Sequence, residues 1–154
     1  MNESDIMEAL DSGKLAFYIT DFPSAELLPC PKVVAIPHLG ASTPEAEDNC
    51  AVMAVQQLMD YLELGTVKNS VNLPRCHLDK RAPYRLVVIN RNIPNMVGQI
   101  TTILAEEKIN ILDLINHHRD DYAYNIIDSE QKISDKALDE IKKVEGIIRV
   151  RAIE

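Results

Sequence analysis

The side chains of this sequence best suited to proton transfer lie near its start. They are His38, in the run Pro37-His38-Leu39-Gly40-Ala41-Ser42-Thr43, and two carboxylates upstream, Asp21 and Glu26. An imidazole titrates near neutrality, and a carboxylate against it fixes its tautomer and stabilises its cation. His38 follows a short apolar run and precedes a helix signal, where open α/β sheets place ligand-binding groups. Two readings stay open on the residues alone: a general acid/base with a carboxylate partner, or a solvated loop histidine beside two exposed loop carboxylates. A second set is made of carboxamides, Asn90, Asn92 and Asn110. Carboxamides offer donors and acceptors together, so the three can satisfy the amino group and the carboxylate of a zwitterion. A helix start at Asn95-Met96 adds backbone N–H groups for the anionic end. Their alternative role is that of loop asparagines serving as caps and turns.

Other chemistries are disfavoured by spacing and charge. Gly13, Gly40, Gly65, Gly98 and Gly146 are too far apart to write GxGxxG or a P-loop. The chain alone is therefore expected not to bind a dinucleotide, because a pyrophosphate loses its main docking feature. His117-His118 lie side by side on a predicted strand, where neighbours face opposite ways, and Cys30, Cys50 and Cys76 lie 20 and 26 residues apart. Neither pattern makes a metal site, and the odd cysteine count argues against a disulfide framework. The formal net charge is −8 with no basic block, which counts against nucleic acid as a partner. No apolar run approaches the roughly 20 residues that span a bilayer, and the N-terminus lacks a signal pattern. A cytoplasmic protein with a small-molecule partner, no nucleic acid and no membrane is the expectation.

The elements that must position these residues fall into two styles. Prolines punctuate the chain up to Pro83, whereas beyond it only Pro94 remains. Before that boundary, Ser4 to Gly13 reads as a short capped helix, and Leu15 to Thr20 and Val33 to Ile36 as buried strands of a parallel sheet. Thr43-Pro44-Glu45 opens the longest helix, running to about Leu64 and stopped at Gly65. Its stripe of Cys50, Ala51, Ala54, Val55, Leu58, Met59 and Leu62 needs a surface to bury against. Residues 67–83 read as a linker with at most one short strand. From Arg85 the pattern sharpens into strand, helix from Pro94, strand from Ile109, an Asp-rich tight turn at Arg119-Asp120-Asp121, strand from Tyr122, helix capped by Ser134, and strand from Ile147. That β-α-β-β-α-β order is the ferredoxin-like, split βαβ arrangement. Gly98 inside a helix costs about 1 kcal/mol relative to Ala, and close packing of that helix on the sheet or on a partner is a sufficient reason for it. The fold class is thus α+β, with a C-terminal ferredoxin-like unit preceded by a short α/β segment and a long helix.

Ala9-Leu10-Asp11-Ser12-Gly13, then Asp21, Glu26 and the run from Pro37 to Thr43, resemble the end of the nucleotide-binding domain of D-2-hydroxyacid dehydrogenases, in their 3-phosphoglycerate dehydrogenase branch. The resemblance implies a catalytic role for His38, with Glu26 as its paired carboxylate, and cofactor-binding (NAD) roles for Asp21 and Gly40. Departures at Phe17, Thr20, Phe22, Pro23 and Leu27 mark the stretch around Asp21. From Arg85 to Glu154 the chain resembles a regulatory ACT domain, with Asn90-Arg91-Asn92-Ile93-Pro94-Asn95-Met96-Val97-Gly98 and Ile109-Asn110-Ile111 as its core. That likeness implies binding of L-serine by Asn90, Asn92 and Asn110 across a dimer interface, with Asn90 standing for a frequent His and Asn95 for a usual Gly. The implied domains are 1–42, remnant of a nucleotide-binding domain; 43–66, long helix of a substrate-binding domain; 67–83, linker; and 84–154, ACT domain. The implied whole is an NAD-dependent, allosterically regulated, homo-oligomeric oxidoreductase of L-serine biosynthesis. The chain begins after that family's glycine fingerprint and substrate arginine, so by itself it is expected to be inactive. The alternative is a stand-alone amino-acid-binding or assembly module without catalysis.

Overall fold

The computed structural model describes residues 2–79 and 82–154. Its elements are α1 (Glu3–Asp11), β1 (Tyr18–Thr20), β2 (Val33–Ala35), α2 (Pro44–Leu64), β3 (Tyr84–Arg91), α3 (Met96–Glu106), β4 (Ile111–Arg119), β5 (Tyr122–Ser129), α4 (Asp135–Lys143) and β6 (Ile147–Ile153). They form two compact units, residues 1–51 and 52–154. Among the described residues no helix is long and apolar enough to cross a membrane.

The first unit pairs β1 with β2 in parallel, Tyr18 opposite Val33 and Thr20 opposite Ala35. Its core is small, with Ile6, Leu10 and Leu27 buried and Met7, Tyr18, Cys30 and Val33 packed against them. The expectation of buried strands fails here. Each strand is three residues long, and Ile19 and Val34 are exposed, because two strands cannot cover both of their own faces. The first helix also starts earlier than Ser4: Asn2 is its cap, and the Asn2 side chain accepts from the Ser4 N–H at 3.1 Å.

The long helix α2 follows its start and stop signals. The Thr43 hydroxyl accepts from the Ala46 N–H at 3.2 Å, Pro44 fills the first helical position, and Gly65 ends the helix at φ +67°. A side chain at Gly65 would also meet the Val87 methyl at 2.5 Å, so only glycine fits that backbone approach. No residue of α2 is buried, and Val55, Leu58, Met59 and Leu62 stay exposed. Among the described residues the sequence stripe finds no cover.

The second unit is a four-stranded antiparallel sheet in the order β4-β5-β3-β6. With two helices interposed in β-α-β-β-α-β succession, this is the ferredoxin-like topology that the periodicity predicts. On one face α3 and α4 bury Ile100, Leu104, Ala137 and Ile141 against Leu86, Val88 and Ile127. Ser134 caps α4 by accepting from the Ala137 N–H at 3.1 Å. Asp120 turns the β4–β5 hairpin at φ +51°, a conformation that Asp tolerates better than most residues.

The other face is covered by the segment after α2, which packs more tightly than a linker would. Val67 and Cys76 bridge each other and join Val87, Ile89, Tyr124, Ile126 and Ile153 in a second core. The end of α2 is gripped from the sheet by three side chains. Arg85 donates to the Leu64 carbonyl at 2.7 Å, Tyr124 to the Gly65 carbonyl at 2.7 Å, and Arg151 to the Tyr61 carbonyl. Helix C-termini leave carbonyls unpaired; Arg85 and Tyr124 satisfy two at this end, while the Tyr61 carbonyl, which Arg151 also reaches, already accepts from the Gly65 N–H at 3.1 Å. Arg151 also lies 4.6 Å from the centre of the Tyr61 ring, a cation–π distance.

Candidate functional site

His38 lies in the loop after β2, and its Nδ1 is 2.7 Å from Asp21 Oδ2 in the loop after β1. The parallel pairing of β1 and β2 brings the two strand exits to the same edge, which is why residues 17 positions apart meet. Nδ1 so held carries the proton, which leaves Nε2 as an acceptor. The Phe22 ring meets the imidazole edge-on at 4.8 Å between centroids, which further fixes its plane. Both partners are well exposed, at 61% and 43% of their side-chain surface. The carboxylate that meets the imidazole is therefore Asp21, where the resemblance gives that place to Glu26. Glu26 is exposed on the loop leading to Leu27, and Gly40 lies two residues beyond His38 with open space around it.

The three carboxamides are not gathered within one chain. Asn90 is fully buried near the end of β3. Its Oδ1 accepts from Asn125 Nδ2 at 2.7 Å, and its Nδ2 donates to the Arg91 carbonyl at 2.6 Å. Asn125 also donates to the Val88 carbonyl at 3.2 Å and accepts from Asn116 Nδ2 at 2.6 Å. A row of carboxamides thus crosses β3, β5 and β4, from the buried Asn90 to the exposed Asn116. Asn125 and Asn116 escape detection in the sequence because only sheet register aligns them with Asn90. Asn92 is exposed beside the β4–β5 turn, its backbone N–H bonded to the Asp121 carbonyl at 2.8 Å. Asn110 is exposed before β4, and its N–H is held by Gln131 Oε1 at 3.0 Å. Ile111 is in register with Ser129, and Ser129 with Tyr84. Asn110 therefore stands at the far end of the sheet from Asn90 and Asn92, more than about 20 Å from either at ~3.4 Å per residue.

The entrance to α3 is built on Asn95 in the left-handed region, at φ +66°. A Cβ at position 98 would meet Asn95 Oδ1 at 2.4 Å. Gly98 therefore makes room for the Asn95 side chain rather than for close packing on the sheet. His117 and His118 lie on β4, and among the described residues no group of three His, Cys, Asp or Glu is arranged to hold a metal ion.

No protein-family model matches this sequence. Among characterised proteins it is similar to D-3-phosphoglycerate dehydrogenase of Escherichia coli (strain K12), with 31% identity over 123 residues, 79% of this chain and 30% of that protein. The D-3-phosphoglycerate dehydrogenase of Dictyostelium discoideum is 28% identical over 160 residues, covering 96% of this chain and 39% of its own. The chain is homologous to part of the D-3-phosphoglycerate dehydrogenases. It spans 30% to 39% of the length of these two relatives. Among solved structures, the ACT domain from GTP pyrophosphokinase of Chlorobium tepidum aligns with 46% of this chain and 95% of its own, at 19% identity and a TM-score of 0.41. A solution structure of the same domain covers 46% of this chain and 83% of its own, at 20% identity and a TM-score of 0.39.

Proposed function

We propose that this chain is the C-terminal part of an NAD-dependent 3-phosphoglycerate dehydrogenase, cytoplasmic and engaged in L-serine biosynthesis. In this reading its first unit contributes the proton-transfer histidine, and its second unit is an ACT-type sensor of a small amino acid. The observation that carries the first part is the 2.7 Å contact between His38 Nδ1 and Asp21 Oδ2. In hydride transfer from a secondary alcohol, a base must take the hydroxyl proton as the hydride leaves the same carbon. Nε2 of His38 is suited to that proton, and the Asp21 carboxylate stabilises the imidazolium that results. NAD, when bound, accepts the hydride; in this chain Asp21 and Gly40 are the residues beside which its nicotinamide end would lie. Asp21 then orients the imidazole, and Glu26 serves at the loop surface.

The second part rests on the division of the carboxamides between two ends of the sheet. A pocket using Asn92 and Asn110 together needs two chains, with the α3 entrance of one facing the start of β4 of the other. That arrangement makes serine binding and homodimerisation one event. Asn90, held by Asn125, supports the Asn92 loop from beneath rather than touching the ligand.

The test is a thermal melt of the purified chain with serine, glycine or neither. A ligand at 100 times its dissociation constant stabilises by about 2.7 kcal/mol. Serine is expected to raise the melting temperature by roughly 10 °C, with glycine weaker and with Asn92→Ala and Asn110→Ala each removing the shift. No shift at millimolar serine, in a chain that is still dimeric, favours the assembly reading instead. The purified chain is expected to show no NAD-dependent oxidation of 3-phosphoglycerate, since no glycine fingerprint is written in it. Turnover above a trace would overturn that expectation.

A further inference from the structure

The outer edge of the sheet carries a feature that the reading above does not use. The segment after α2 runs beside the end of β4, and between them lies an open groove of about 460 Å³. It is lined by Pro74, Arg75, Asn116, His117, His118 and Arg119. The two guanidinium groups, Arg75 and Arg119, thus lie with the His117 imidazole along one groove, while His118, next on the strand, lines it from the alternate face, in a chain with 24 acidic residues against 16 Lys and Arg. In such an excess of carboxylates, cations on the surface commonly find acidic partners. Here, the ion pairs among the described residues engage none of these four side chains. Asp120 and Asp121, in the turn that follows Arg119, do not line the groove.

Two of these side chains are also held in place. His117 Nδ1 is 2.8 Å from the Arg75 carbonyl, so Nδ1 carries the proton and Nε2 is left for another partner. Arg119 Nη1 donates to the Ser70 carbonyl at 2.8 Å, which fixes the guanidinium while leaving its remaining N–H groups available. The strand of chain opposite is itself anchored. Ser70 Oγ accepts from the Leu73 N–H at 3.0 Å, Pro74 is buried, and Cys76, two residues on, is fully buried in the core through its bridge to Val67. Long-range repulsion from the net charge is screened beyond about 8–10 Å at physiological salt, whereas a ligand inside the groove meets the local cluster.

We infer that this groove is a binding site for a small anionic metabolite bearing a phosphate or two carboxylates, separate from the carboxamide site. Arg75 and Arg119 supply planar forks that match either group, as guanidinium does in bidentate contacts.

The experiment is calorimetric titration of the full chain with inorganic phosphate and, in a second arm, with succinate, each at constant ionic strength set by chloride. Saturable one-to-one binding of at least one probe is expected. Arg75→Gln, which leaves the carbonyl to His117 intact, is expected to weaken it at least tenfold. Arg119→Lys retains a donor for the Ser70 carbonyl but loses the fork, and is expected to do the same with an unchanged melting temperature in the absence of probe. Lys136→Gln, on α4, is expected to leave binding unaltered. Binding of phosphate alone identifies a phosphoryl ligand, and binding of succinate alone a dicarboxylate. Absence of saturable binding by both probes, or equal affinity in Arg75→Gln and Arg119→Lys, would overturn the assignment.

Discussion

Removing Asp128 should expose how far the second unit depends on one buried ion pair. Arg85 Nε meets Asp128 Oδ1 at 2.6 Å and Nη2 meets Oδ2 at 2.7 Å, while Nη1 donates to the Leu64 carbonyl at 2.7 Å. The two side chains are 0% and 1% exposed, so no solvent can replace the carboxylate without opening the fold. Asp128→Ala leaves a buried guanidinium with one carbonyl for company. Such a loss costs about 3–5 kcal/mol, a fifth or more of the roughly 5–15 kcal/mol that holds a typical domain. The corresponding fall in melting temperature is roughly 10–20 °C. Arg85→Met combined with Asp128→Leu removes both charges and should regain most of the loss, less about 1 kcal/mol for the Leu64 carbonyl. Urea unfolding followed by tyrosine fluorescence suits the measurement, because the chain has no tryptophan and Tyr61, Tyr84, Tyr122 and Tyr124 all lie in this unit. The m-value should stay constant, so that midpoints report stability. A loss below about 1 kcal/mol in Asp128→Ala, or a double variant no better than the single one, would refute the reasoning.

Further outcomes follow from other parts of the structure. Burial pushes the Cys76 thiol up to about 11 from 9.0. A raised folded-state value stabilises below the unfolded value, so this contribution is complete below about pH 9 and is lost as pH rises through about 11. Cys76→Ala should flatten that alkaline limb, measured as unfolding free energy against pH. In the native chain at pH 8, a thiol reagent should label exposed Cys50 first and Cys76 only on unfolding. Gly65→Ala should cost about 2 kcal/mol, since it combines a positive φ with the 2.5 Å approach to Val87; a midpoint unchanged from wild type would show that the α2 terminus relaxes freely. Ser134→Ala, by removing the cap of α4, should cost about 1 kcal/mol in the same assay.

Much of the architecture was written locally. The order of strands and helices from Tyr84 to Ile153 follows from apolar periods of two and 3.6, and helix limits follow from Thr43-Pro44, Gly65 and Ser134, whose effects reach only a few residues along the chain. His38 was visible as a loop imidazole, and Asp21 and Glu26 as its two available carboxylates. The choice between them waited on strand pairing, because the parallel register of β1 and β2 sets which exit loop reaches the ring. Tertiary structure alone decided that Asn90 is committed to Asn125, 35 residues away, and that Arg85 is committed to Asp128, 43 residues away. It likewise set His117 against the Arg75 carbonyl across 42 residues and left Asn110 at the far end of the sheet from Asn92. Such partnerships depend on which strands lie side by side and in which register. Those are consequences of burying the whole apolar surface at once, and no local stretch of sequence carries them.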